Sequence, residues 1–288
     1  MPAQTITGSS ARAIAASVED AVGTGALQPG DRLPSVRALA ADLNVSPTTV
    51  AGALADLRRR GVVVSRSRSG TEIARRAPVA PAVVQPVPEG VRDLSEGNPD
   101  PALLPDVLKA LRGLRGPPRL YGAEPVDPDL RRVASAAFRA DGIDAAHLCV
   151  VNGALDGIER VLAAHLAPGD AVALEDPGFS AVVDVVRALG LTPLPVPIDA
   201  HGMRPDAVPD AARAVVITPR GQNPTGAALD ARRARELRLR PDVLLIEDDH
   251  LGPVAGAPAR TASTGHDRWA VVRSVSKWLG PDLRLAIV

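Results

Sequence analysis

Five short clusters of polar and reactive residues stand out in this 288-residue sequence: Asn152–Gly153–Ala154–Leu155–Asp156–Gly157, Asp176–Pro177–Gly178–Phe179, Asn223–Pro224–Thr225–Gly226, Glu247–Asp248–Asp249–His250 and Ser274–Val275–Ser276–Lys277, with Arg284 a little further on. The first joins a strand-like run to a helical one, so free backbone N–H groups and a helix N-terminus would face an anion. The second presents an aromatic face. Only Lys109 and Lys277 are lysines among the 33 Lys and Arg residues, so arginine is the default cation of this chain. A guanidinium stays protonated and cannot act as a nucleophilic amine, which makes Lys277 the residue suited to amine chemistry. Taken singly, each cluster also has an ordinary structural reading. Asp-Pro-Gly-Phe and Asn-Pro-Thr-Gly are turns, Ser274 can end a strand, Asp248 can cap a helix, and Arg284 can be a surface ion-pair partner worth little. Their joint order argues for one site.

The elements that must position these clusters are short apolar runs near Leu148–Val151, Ala171–Glu175, Pro193–Pro197, Ala214–Thr218, Val243–Glu247, Ala270–Ser274 and Arg284–Val288. Helical patterns such as Leu155, Ile158, Leu162 and Leu166 separate several of them. Short apolar strands alternating with helices predict an α/β fold with a mostly parallel, doubly wound sheet of seven strands. In such folds ligands sit beyond the carboxyl ends of the strands, which is where the clusters lie.

In this order, on these elements, the clusters resemble the fold type I pyridoxal 5′-phosphate (PLP) enzymes of the aminotransferase class I/II group, from about Asp93 to the end of the chain. The resemblance implies that Lys277 forms the Schiff base with the PLP aldehyde and that Asp248 pairs with the pyridine nitrogen. It implies that Asn223 donates to the ring 3′-oxygen, that Phe179 stacks on the ring, and that the Ala154 and Leu155 amides, Ser274 and Arg284 hold the phosphate. Tyr121, the single tyrosine, matches a position that reaches the phosphate of the neighbouring subunit, which implies a homodimer. His250 stands where related proteins commonly carry a tyrosine bonded to the 3′-oxygen, so the electronics of the cofactor are expected to differ. The chain stops at Ala286–Ile287–Val288, inside a strand-like run, where the family continues into a C-terminal domain carrying the arginine that grips a substrate carboxylate. The large domain, residues 93–288, is therefore expected to be incomplete.

The first 76 residues read differently. A helix over Ala11 to about Thr24 has Ile14, Val18, Ala21 and Val22 on one face. A second, capped by Ser35, carries Val36, Leu39, Ala40 and Leu43, and a third, capped by Ser46 with Pro47 at its first position, carries Val50, Ala53, Leu54 and Leu57. Two short helices across a tight turn predict a helix-turn-helix, and the strand-like segments Val62–Ser65 and Thr71–Ala74 predict a hairpin wing with an arginine-bearing tip. The run Gly30–Asp31–Arg32–Leu33–Pro34–Ser35–Val36–Arg37, with Leu39–Ala40, Val45–Ser46, Thr49–Val50 and Gly70–Thr71, resembles the GntR family of winged-helix regulators. That resemblance implies that Arg37 contacts phosphate, that Ser46, Thr48 and Thr49 face the groove, and that the wing residues Arg66, Arg68 and Gly70 reach the adjacent backbone or minor groove. Many family members carry an arginine where this chain has Pro47. The alternating prolines of residues 77–92 predict an extended tether between the two domains.

Charge is distributed to match. Residues 1–76 hold ten Arg against six Asp and Glu, while the rest of the chain holds 23 basic and 27 acidic residues, so a net charge of zero conceals a basic module and an acidic one. A hydrophobic content of 45% and a mean hydropathy of +0.06 describe a globular protein. The sequence has no apolar run long enough to span a bilayer and no leader-like N-terminus, which predicts a cytoplasmic protein. The single Cys149 forms no internal disulfide, and nothing has metal-ligand spacing.

A winged helix ahead of an aminotransferase-like domain resembles the MocR subfamily of GntR regulators. The resemblance implies a PLP-binding transcription factor acting on a double-stranded DNA operator and responding to PLP or to an amine or amino-acid effector. Two alternatives remain open on the sequence. One is a working PLP-dependent aminotransferase with an accessory DNA-binding domain; the other is a large domain that only dimerises the DNA-binding heads.

Overall fold

The computed structural model describes residues 6–59, 62–66, 70–74, 90–91, 97–114 and 120–288. They fall into two compact units, the first centred on the N-terminal residues and the second holding most of the remainder.

The first unit begins with α1 (Ala11–Gly23), where the Ser10 hydroxyl accepts the Ala13 amide at 3.2 Å. Ser35 caps α2 (Val36–Asp42) in the same way, accepting from Ala38 at 3.2 Å. The turn that follows passes through Asn44 at φ +53°, a left-handed conformation that asparagine tolerates. Ser46 then caps α3 (Pro47–Arg59), accepting the Thr49 amide at 3.1 Å, with Pro47 at the position where a missing N–H costs nothing. The wing is β1 (Val63–Arg66) paired antiparallel with β2 (Gly70–Ile73). Ile14, Val18, Leu39, Val50, Leu57 and Ile73 make the core of this unit. The Gly30–Pro34 run is stitched to β2 by the Leu33 amide on the Thr71 carbonyl and the Ile73 amide on the Asp31 carbonyl, at 2.9 and 2.8 Å. Arg68 and the Arg66 side chain lie outside the described residues, as does all of the expected 77–92 tether except Gly90 and Val91.

The second unit is an α/β domain built on one eight-stranded sheet. After α4 (Val107–Arg112) and α5 (Pro128–Ala140), the strands are β3 (Val150–Val151), β4 (Ala171–Asp176), β5 (Thr192–Asp199), β6 (Gly202–Met203), β7 (Ala212–Ile217), β8 (Leu244–Asp249), β9 (Trp269–Ser274) and β10 (Ala286–Ile287). Helix α6 (Ala154–His165) follows β3, α7 (Ser180–Ala188) follows β4, and α8 (Ala231–Glu236) precedes β8. The strands lie in the order β3-β10-β9-β8-β7-β4-β5-β6. Pairings from β4 through β7 and β8 to β9 are parallel, whereas β10 runs antiparallel to both its neighbours and β6 antiparallel to β5. The sheet thus adds the short β6 hairpin strand to the seven expected.

Strand order reverses beside β4: β5 lies on one side of it, while the later β7 lies on the other. The carboxyl ends of β4, β7 and β8 meet at this switch, where an open α/β sheet leaves a crevice. Strand β8 is buried on both faces along its whole length, so the acidic residues at its end are held away from water. Among the described residues no helix is long and apolar enough to cross a membrane.

Candidate functional site

The last three residues of β8 are carboxylic acids, and alternation along the strand sends their side chains to opposite faces. Asp249 is saturated with cations. Its Oδ1 accepts Arg220 Nε at 2.8 Å, and its Oδ2 accepts Arg220 Nη2 at 2.8 Å and Arg273 Nε at 2.6 Å. Arg273 Nη2 continues to Asp141 Oδ2 at 2.7 Å, closing a buried network of two arginines and two aspartates. Burial opposes the charge on Asp249, but the two guanidiniums overcome it and hold its carboxyl below the usual range. Glu247 lies on the same face, its Oε1 accepting the Thr261 hydroxyl and the Ala262 and Ser263 amides at 2.9, 2.7 and 2.9 Å. Burial nevertheless pushes it up to about 7.

Asp248 faces the other way. It is 5% exposed, and its Oδ1 has no hydrogen-bond partner among the described residues. Burial, reinforced by the neighbouring charges of Asp249 and Glu175, pushes its carboxyl up to about 7. It lines a small pocket with Glu175, Phe179, Val182, Val216 and Thr218. A buried acid without a partner costs free energy unless a cation or donor meets it, which marks the place where a ligand would supply one.

Two loops form the rim. Gln222 Nε2 donates to the Pro177 carbonyl at 2.8 Å, and Gln222 Oε1 accepts the Thr225 amide and hydroxyl at 3.1 and 2.7 Å. This ties the Asn223–Gly226 turn to the Asp176–Phe179 turn. The peptide bonds before Pro177 and Pro224 are both cis. Asn223 is exposed, and Phe179 is 44% exposed beside the pocket.

A glycine turn, a helix start and an arginine come together around Gly153, donors that could hold an anion. The φ of Gly153 is +92°, and a Cβ there would come within 3.1 Å of Arg284 Nη2, so glycine lets the guanidinium lie against the turn that opens α6. Arg284 itself is exposed and in a left-handed conformation at φ +46°. Ala154 and Leu155 form the first turn of the helix, and the Asn152 amide donates to Asp156 Oδ2 at 2.9 Å. The Ser274 hydroxyl donates to Ser276 Oγ at 2.9 Å and accepts the Ser276 amide at 3.1 Å, so it is engaged in its own turn. Lys277 Nζ donates to the Gly97 carbonyl. His250 lies near enough to feel that ammonium: burial first, and then the Lys277 charge, lower its pKa below the ordinary value. Tyr121 is fully exposed.

On the first unit, Arg37, Ser46 and Thr48 are exposed and Thr49 is half-buried. Ser46 Oγ and Thr49 Oγ1 are 2.8 Å apart, so both hydroxyls serve the helix cap as well as facing outward. Gly70 enters β2 at φ +84° with open space around it.

These two arrangements have counterparts. Residues 10–73 match the family of bacterial regulatory proteins of the gntR type, and residues 89–288 match the aminotransferase class I and II family. The chain is 43% identical, over 98% of its length and 68% of the relative's, to the vitamin B6 salvage pathway transcriptional repressor PtsJ of Salmonella typhimurium. The chain belongs to the MocR subfamily of GntR regulators.

Other MocR-type relatives extend the likeness. The pyridoxine biosynthesis transcriptional regulator PdxR of Corynebacterium glutamicum is 32% identical over 79% of this chain and 53% of its own length. In fold, the kynurenine aminotransferase of Pyrococcus horikoshii superposes with a TM-score of 0.57 at 21% identity, over 66% of this chain and 54% of that one. The chain therefore spans about two thirds of the first relative and about half of the other two. PLP is the cofactor of the aminotransferase class, and the residues of this MocR chain fit it: an unpartnered buried acid for a ring nitrogen, an amine on the next strand's end, and a helix start with an arginine for a phosphate.

The sequence reading missed Glu175, Gln222 and the Asp141–Arg220–Asp249–Arg273 network. Arg220 and Asp249 stand out as charges within apolar strand ends, a signal that they pair. Nothing local marks Asp141 as the partner of Arg273, 132 residues further along the chain.

Proposed function

We propose that this chain is a DNA-binding transcriptional regulator whose aminotransferase-like domain takes PLP and couples the state of that site to DNA affinity. The carrying observation is the unpartnered Asp248 carboxyl at the strand switch of a chain that also bears a GntR-type winged helix. Asp248 binds the ring nitrogen, which desolvation and its neighbours leave it poised to do. Asn223 and His250 face the 3′-oxygen, and Phe179 covers the ring. The α6 amides of Ala154 and Leu155, with Ser274 and Arg284, hold the phosphate, joined by Tyr121 of the partner subunit in a homodimer. Lys277, whose nitrogen donates to the Gly97 carbonyl, is the covalent anchor. When bound, the cofactor supplies an electrophilic carbonyl that an amine or amino acid can compete for. An effector shifts DNA affinity only in so far as it binds the competing forms of the protein unequally.

In the DNA-binding unit, Arg37 meets a phosphate, Ser46, Thr48 and Thr49 face the groove, and the wing residues Arg66, Arg68 and Gly70 lie along the neighbouring backbone or minor groove. The protein works in the cytoplasm, on genes of vitamin B6 or amine metabolism, as the regulators named for vitamin B6 and pyridoxine suggest. The test is operator binding by fluorescence anisotropy with and without PLP and amines, in the parent chain and in Lys277→Ala. An affinity that responds to PLP in the parent and not in the variant is expected. DNA binding indifferent to PLP and to amines in both chains would overturn the regulatory reading.

A further inference from the structure

Side-chain contacts fasten the loops of the candidate site to one another. Gln222 Nε2, after β7, donates to the Pro177 carbonyl after β4 at 2.8 Å. Leu251, after β8, packs into the Gly221 turn, where a Cβ would overlap its Cδ1. The loop after β9 carries Lys277, and its backbone closure is slight: the Trp278 and Leu279 amides both donate to the Val275 carbonyl, at 3.2 and 2.8 Å. The side chain of Trp278 adds to that closure. Its indole Nε1 donates to the Ser274 carbonyl at 3.0 Å, and the half-buried ring lies against Gly252 in the loop after β8. A Cβ at Gly252 would come within 3.2 Å of Nε1 and 3.6 Å of Cδ1, so a glycine at φ +55° leaves the room that the ring fills.

We propose that Trp278 is a positioning residue for Lys277: it fixes the turn after β9 against the loop after β8, and so sets where the lysine nitrogen meets a bound carbonyl compound. The inference rests on the PLP reading of the site and adds to it a residue with no assigned contact to the cofactor. Asp248 and His250 stand just ahead of Gly252 in the chain. The Trp278 contact therefore runs from the lysine's own turn to the segment that holds the ring's partners. Without the indole, the turn keeps its two amide bonds to one shared carbonyl and loses its hold on that segment. A displacement on the order of 1 Å at a reacting group can cost about a hundredfold. The step that depends on this placement is the one in which the Lys277 amine takes the place of the carbonyl oxygen, which leaves as water. Noncovalent binding of a ring and phosphate does not depend on it.

The test compares PLP with 4′-deoxypyridoxine 5′-phosphate, which keeps the ring and phosphate but has no carbonyl to react. Dissociation constants for both are measured by equilibrium dialysis on the parent chain, Trp278→Ala, Trp278→Phe and Lys277→Ala. The readout is the ratio of the analogue's constant to that of PLP, which Lys277→Ala, unable to form the bond, should bring close to one. Trp278→Ala should lower the parent's ratio by about tenfold, within the range that a misplaced reacting group costs, and leave the analogue's affinity unchanged. That unchanged affinity also shows that the variant is folded. Trp278→Phe keeps a ring against Gly252 without the N–H, and its ratio should fall between those of the parent and the alanine variant. A parent-like ratio in Trp278→Ala, or loss of both ligands together, makes Trp278 a purely structural residue and overturns its role while leaving the cofactor reading in place. A parent that prefers PLP no more than Lys277→Ala does overturns Lys277 as the covalent anchor and this inference with it.

Discussion

Asp248 and Asp249 are neighbours on β8 with opposite electrostatic fates: two arginines grip both oxygens of Asp249, and no donor among the described residues reaches Oδ1 of Asp248. Pleating alone separates them, since consecutive residues of a strand face different sides of the sheet. One side of β8 is thus a finished ion network and the other a pocket that a cation would complete. A lone buried acid in a crevice at a strand switch is a functional-site signature because folding alone gives no reason to keep it.

The three acids pushed up to about 7, Glu175, Glu247 and Asp248, should make the chain without added cofactor less stable as pH rises. Carboxyls of the unfolded chain ionise near pH 4, whereas these keep their protons until about 7. Between those values the folded state holds more protons, so its stability falls with increasing pH and levels off above 7. The acids held low by arginine, Asp249 among them, act only below about pH 4. His250 and His266, lowered by burial, oppose the trend below their ordinary pKa but are outnumbered by the three acids. The melting temperature should drop by about 5 °C or more between pH 5 and pH 7.5. A melting temperature that rises over this range contradicts the assignment.

Replacing Asp249 with alanine strands Arg220 and Arg273 in the interior with Asp141 as their remaining carboxylate. Breaking a buried charge network from one side costs about 3–5 kcal/mol. Urea denaturation should show this loss at unchanged slope. A change under about 1 kcal/mol would mean that water reaches the network.

Gly153→Ala should weaken PLP binding about tenfold, because its Cβ would displace the Arg284 guanidinium from the head of α6. Gly142, also at positive φ but in open space, is the control: Gly142→Ala carries a similar backbone cost of about 1 kcal/mol and should leave affinity intact. Equilibrium dialysis of both variants separates the two effects. Equal affinities for the two would remove Arg284 from the phosphate site.

Arg37→Ala should lower operator affinity at low salt and reduce the slope of log affinity against log salt by about one, the signature of one lost phosphate contact. Anisotropy titrations at several salt concentrations measure this. An unchanged slope would place Arg37 away from the DNA backbone.

Much of this was legible in the sequence for stated reasons. Ser35 and Ser46 announce helix starts because their hydroxyls suit the N-cap, and Pro47 confirms the second; both caps form. Strands β4, β7, β8 and β9 read clearly because strands buried on both faces must be continuously apolar. The two-residue β6 was invisible, since Gly202–Met203 is too short to show a period. Within the site, Asp248 and Lys277 were marked by their types and their place after strands. Glu175, which also lines the pocket, was not, because an acid closing a strand looks like a boundary. The engagement of Ser274 with Ser276 was equally beyond a linear reading.

The parallel register of β8 with β9, which sets Asp248 against Val272 and Asp249 against Arg273, is for this reason more than scaffolding. A single-residue insertion within β8 ahead of Asp248 would turn each aspartate to the opposite face of the sheet. The acid now left over would land among the arginines, and the acid now spoken for would be turned into the pocket in the wrong frame. Length changes that surface loops absorb freely would be lethal to the site here, even if every residue type were kept and the sheet still closed.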